Sequence, residues 1–152
     1  KLIAPDGDLW KFRWMPAVSV FIAFNVLFAT YVVVTEWVLG GWPTFGDWTT
    51  WQRVFMIGFV PVTAGSCEEL IWRGHIITRL EARGQSRRSA MVLSAVSFAL
   101  IHGFLLPDKL LITFLLGVVG GLYYARERNL VPLMLAHGVM DVWSFALSAF
   151  GA

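Results

Sequence analysis

Sixteen consecutive residues, 110–125, carry no charged side chain, and residues 15–39 carry one, Glu36. A helix crosses a hydrocarbon core of about 30 Å in roughly 20 residues, whereas helices buried in a soluble core use apolar runs of about 10–14. Runs this long restrict the chain to few architectures, and they recur. Further apolar helical stretches cover about 49–83, 89–104 and 129–150, and the helix that contains the uncharged run extends over about 109–126. Hydrophobic residues make up 57% of the 152 positions and charged residues 14%, against about 45–50% and about 25% in soluble domains. Five such helices have almost no polar face to turn toward water. The expected fold is therefore all-α, a polytopic transmembrane helix bundle of about five helices forming a single membrane domain over 1–152. Its interactions are expected with the lipid bilayer and not with nucleic acid, since the net charge is only +2. A single cysteine, Cys67, excludes an internal disulfide framework and any cysteine-rich zinc module.

The punctuation agrees with that reading. Gly40-Gly41-Trp42-Pro43-Thr44-Phe45-Gly46-Asp47 forms a turn region. Pro61 predicts a kink within the second helix. Pro107-Asp108 breaks the chain before the fourth helix, and Asn129 is placed to cap the fifth, with Pro132 in its first turn. If the linkers alternate sides, one side holds Lys1, Lys11, Arg13, Arg79, Arg83, Arg87, Arg88, Arg126 and Arg128, and the other only Arg53 and Lys109. The positive-inside rule then makes the N-terminus cytoplasmic. Trp10 and Trp14 fall at one interface and Trp37, Trp42, Trp48 and Trp51 at the other, as in an aromatic belt. The chain opens Lys1-Leu2-Ile3 without an initiator methionine, which reads as an excerpt or a processed form.

Against this background the polar residues inside the helices are the informative ones. A carboxylate at membrane depth costs several kcal/mol on the lower estimates, about 2.5–3.5, and so needs a reason. Helix two carries Glu68-Glu69-Leu70-Ile71-Trp72-Arg73, helix three Phe98 to His102, and helix five His137 to Asp141. At about 1.5 Å rise per residue, Glu68, His102, His137 and Asp141 all lie roughly 12–22 Å from the basic side. Three helices thus place carboxylates and imidazoles in one layer. Glu69 and Arg73 are i,i+4 with the acid first, the better orientation for a helical pair, so Glu69 is expected to be held by Arg73. Glu68 points about 100° away, free to face the bundle interior as a general base. His137 and Asp141 share a face, so Asp141 can orient the imidazole or share a ligand with it, and Phe98 can pack beside His102. His75 lies on the Glu68 face as a lining residue. Cys67 is expected to be a small buried hydrophobe. Gly117 and Gly121, with Gly120 beside them, read as close helix packing.

These residues together resemble the three motifs of the CPBP intramembrane proteases, the CAAX-protease and bacteriocin-processing (Abi) family related to the type II CAAX prenyl endopeptidase. The motifs are Glu68-Glu69-x-x-x-Arg73 followed by Gly74, Phe98-x-x-x-His102, and His137-x-x-x-Asp141. The resemblance covers a protease-like core of about 54–150, preceded by the helix at about 15–39. It implies an endopeptidase in the plasma membrane of a prokaryote, acting on a membrane-associated peptide or protein from a cavity open to the cytoplasm. Carried over by position, Glu68 would be the catalytic glutamate and His102 its partner in activating water. His137 and Asp141 would stabilise the oxyanion, with Glu69 and Arg73 in support.

Asp141 departs from the commonest family form, which has Asn there. An ionised carboxylate cannot donate a hydrogen bond to an oxyanion. Either Asp141 is protonated, or it only orients His137, or it binds a metal. Glu68, His102, His137 and Asp141 are an acceptable ligand set for zinc, so a metalloprotease stays open. The favoured reading needs no cofactor, because the first motif lacks a paired-histidine spacing. Two other classes compete with proteolysis. One is a membrane scaffold or bacteriocin-immunity-type protein in which the polar layer only staples helices. The other is a haem protein ligated by His102 and His137, which leaves Glu68 without a role.

Overall fold

A computed structural model describes residues 13–44 and 47–150. Five helices follow one another: α1 (Trp14–Leu39), α2 (Thr50–Ala82), α3 (Arg87–Gly103), α4 (Pro107–Glu127) and α5 (Val131–Phe150). No strand occurs among the described residues, so the chain is all-α. Four helices, all but α3, are long and apolar enough to cross a membrane. The 17-residue α3 is shorter than the roughly 20 residues a perpendicular span needs.

Local sequence sets the boundaries. Thr49 and Gln52 close a reciprocal cap at the start of α2, with Thr49 N–H donating to Gln52 Oε1 at 2.9 Å. Ser86 Oγ accepts from Ser89 N–H at the start of α3. Asn129 Oδ1 accepts from Val131 N–H at 3.1 Å, capping α5 as its sequence predicts. The kink expected at Pro61 takes the form of a π-helical turn over Phe55–Phe59. Proline has no N–H to donate and its ring crowds the carbonyl four residues back, here Ile57. A second π-helical segment, Leu70–Ile77, begins directly after Glu69.

The helices close into a ring of neighbours, α1 against α5, α5 against α2, α2 against α3, α3 against α4, and α4 back against α1. Small residues permit the closest approaches. A side chain on Gly65 would meet the Gly138 backbone of α5 at 2.9 Å, and one on Gly117 would meet Ala95 Cα of α3 at 2.9 Å. Phe24 and Phe28 of α1, Ile77, Leu116, Leu133 and Met140 fill the centre. Large apolar side chains such as Met15, Trp37 and Leu105 point outward, the reverse of a soluble protein.

One end of the bundle gathers most of the described basic residues near the helix ends. Arg13 at the start of α1 pairs with Glu127 at the end of α4 (3.1 Å), and Arg128 pairs with Glu81 at the end of α2 (2.7 Å). Arg53 and Lys109 belong to the opposite end, as the alternation of linkers requires. Lys1, Lys11, Trp10, Phe45 and Gly46 lie outside the described residues. Trp42 does not join the outer belt. It packs edge-on against Phe28 and Tyr31 and donates its Nε1–H to Ser148 Oγ at 2.9 Å.

Candidate active site

The three polar motifs converge between α2, α3 and α5. Glu69 and Arg73, one helical turn apart on α2, form a fully buried pair with Nη1 3.0 Å from Oε1. An isolated charge at this depth would be untenable, and the guanidinium has partners beyond its carboxylate. Nη2 donates to the Leu116 carbonyl of α4 at 3.3 Å, and the group lies 4.6 Å above the Phe98 ring of α3. Gly120 makes room for it. A Cβ at that position would stand 2.9 Å from Arg73 Nε.

The same Glu69 Oε1 accepts from His137 Nδ1 of α5 at 2.8 Å. This adds to the expected division of labour. Arg73 does hold Glu69, but Glu69 in turn orients His137, and Asp141 does not take that nitrogen. Asp141 Oδ2 lies on the far side of the ring, 3.8 Å from Nε2. The i,i+4 spacing puts the two residues on one face, yet the shorter contact comes from another helix.

His102 is anchored in the same manner. Its Nδ1 donates to the Phe98 carbonyl at 2.8 Å, and the Phe98 ring packs beside it at 4.4 Å between centroids, as the sequence predicts. A carbonyl oxygen only accepts, so the hydrogen sits on Nδ1. Both imidazoles therefore turn Nε2 the same way, toward Glu68. Glu68 Oε2 stands 3.4 Å from His102 Nε2 and 3.7 Å from His137 Nε2. That oxygen is buried and has no hydrogen-bond partner within the protein.

The layer has a dry half and an open half. The side chains of Glu69 and Arg73 are 0% and 1% exposed and that of His137 is 6%, whereas those of Glu68 and His102 are 25% and 31% exposed. Charge is held in place on one side, and on the other a carboxylate and an imidazole are accessible.

Two contributors were not apparent from the motifs. Ser94 Oγ donates to the Trp72 carbonyl at 2.6 Å, within the π segment that carries Arg73. Phe24 of α1 closes the layer against His137, with ring centroids 6.2 Å apart. Ser94, Phe98 and His102 recur every four residues along one face of α3, a signal that could have singled out Ser94. Cys67 is exposed, which corrects its expected burial, and His75 is exposed on the outer surface of α2. Among the described residues no group of three or more His, Cys, Asp and Glu side chains has the arrangement of a metal site.

Fold and site together define a polytopic helical membrane protein with a half-buried acid–imidazole layer. Residues 49–143 match the family described as type II CAAX prenyl endopeptidase Rce1-like. The chain belongs to this family of proteases, and all six residues of the layer fall within the matched segment. No curated protein and no solved structure matches the chain.

Proposed function

We propose that this protein is an intramembrane endopeptidase that cleaves a membrane-associated peptide or protein, with Glu68 as general base. The observation that supports this most directly is the position of Glu68 Oε2, facing the Nε2 atoms of two imidazoles whose Nδ1 atoms are both committed.

In this scheme a water between Glu68 and His102 loses a proton to Glu68 as its oxygen attacks the peptide carbonyl. His137, protonated on Nε2 and held by Glu69 on Nδ1, donates to the oxyanion that forms. Asp141 lies beside that nitrogen and contributes a second donor only as the neutral acid. Collapse of the intermediate breaks the C–N bond, and the proton on Glu68 passes to the leaving amine. Arg73 balances Glu69 throughout, so the dry half keeps its charge pairing. No step passes through a metal.

The excess of basic residues around the N-terminal end of α1 supports a cytoplasmic N-terminus, and the setting we propose is a prokaryotic plasma membrane. The test is turnover of a membrane-anchored peptide by purified protein in lipid vesicles. Glu68→Gln is expected to lose about 10²- to 10⁴-fold in kcat, His102→Ala a comparable amount, and a chelator nothing. Full turnover by Glu68→Gln would overturn the proposal and favour a scaffold. Loss with a chelator, restored by zinc, would replace the glutamate scheme with a metal-dependent one.

A further inference from the structure

The proteolytic reading leaves unused a cleft on the other side of the molecule, between α1 and α4 at the basic end. It encloses about 460 Å³ and is open laterally, within the size range of small-ligand sites, about 300–1,000 Å³. Its floor is apolar, formed by Val20 and Ala23 of α1 and Val119 and Leu122 of α4. Its rim is charged, with Arg13, Arg126 and Glu127. From rim to floor the cleft follows α1 from residue 13 to 23 and α4 from 127 to 119, a run of roughly 12–15 Å along the helix axes.

We infer that this cleft binds one anionic phospholipid, its phosphate at the Arg13–Arg126 rim and an acyl chain along the α1–α4 floor. The charges support this occupant. Arg13 is engaged by both Glu127 oxygens, at 3.1 and 3.2 Å, which leaves that pair neutral. Arg126 is exposed, makes no ion pair among the described residues, and supplies the cation for the phosphate. Basic pockets between membrane helices near the cytoplasmic face suit lipid phosphates. A free phosphate would use only the rim, whereas a phospholipid fills the rim and the apolar floor together. The lipid would reinforce the packing of α1 on α4 beside the Arg13–Glu127 ion pair. At the opposite end Tyr31 O–H already donates to Asp108 Oδ2 at 2.7 Å.

Thermal unfolding of the purified full chain in detergent, titrated with phosphatidylglycerol, phosphatidylcholine or inorganic phosphate, tests this. Native mass spectrometry of the same samples reads the stoichiometry. One phosphatidylglycerol is expected to bind and to raise Tm, with phosphatidylcholine about fivefold weaker and phosphate without effect. Arg126→Gln should weaken phosphatidylglycerol about fivefold, and Ala23→Trp, which fills the floor, should abolish the shift. Neither substitution touches the acid–imidazole layer, so turnover in detergent without added lipid should be unchanged. Equal binding of both lipids, or variants that bind phosphatidylglycerol like the parent, would overturn the assignment. So would a response to phosphate alone. None of these outcomes bears on whether Glu68 is a catalytic base.

Discussion

At the scale of single residues the layer rests on Glu69, although it is not the group that meets the water. One of its oxygens serves both Arg73 and His137, so the pair on α2 fixes the imidazole of α5. Gly120 makes that possible by leaving space for the guanidinium. Gly120→Ala should displace Arg73 and, by leaving buried charge poorly paired, lower stability by about 3–5 kcal/mol. Chemical denaturation read alongside activity will check this, and turnover should fall with stability. Asp141 makes a different prediction. As a donor it works only when protonated, so wild-type kcat should decline as pH rises through its titration, whereas Asp141→Asn, with a permanent amide donor, should give a flatter profile. The pH dependence of kcat for the two proteins measures this. Residue spacing revealed that Glu69 and Arg73 would meet, because both lie on one helix and the distance follows from its pitch. It could not reveal that Glu69 reaches His137, since that depends on how α2 and α5 are rotated against each other. The role of Gly120 was hidden for a similar reason. A glycine in a membrane helix reads as packing, and nothing in α4 alone says that the neighbour is a cation.

At the scale of elements, α2 departs most from regular geometry. Its wide turn over Leu70–Ile77 lies between the carboxylates and the basic end, and Ser94 of α3 holds the Trp72 carbonyl within it. Ser94→Ala should leave that oxygen without its partner and cost about 1–3 kcal/mol. Because the segment positions Arg73 and not substrate, kcat should fall while KM holds. Steady-state kinetics beside a melting curve would show both effects, and Ser94→Thr, which keeps the hydroxyl, should restore kcat. The boundaries of all five helices were readable to within a few residues, since length, proline and capping side chains are local signals. The π turns were not, because a widened turn changes hydrogen-bond partners without changing the apolar pattern. The Pro61 irregularity was visible in the sequence, but its shape was not.

For the molecule as a whole, the ring of helices separates a basic end from one with few cations. This supports a definite orientation. In a Cys67→Ser background, Lys109→Cys should react with a membrane-impermeant thiol reagent on intact cells, and Arg88→Cys only after the membrane is opened. The converse pattern would place the basic end outside. The family match begins at residue 49 and so excludes α1, yet α1 supplies Phe24 against His137 and one wall of the lateral cleft. The unevenly exposed layer has a further consequence under the proposed chemistry. Hydroxide comes from the Glu68–His102 side and the oxyanion is received by His137 from the sealed side. For a peptide bound in one chain direction, a planar carbonyl between them presents only one of its two faces. The tetrahedral carbon would then form in a single configuration, so the site is stereochemically handed even though its reacting nucleophile is only water.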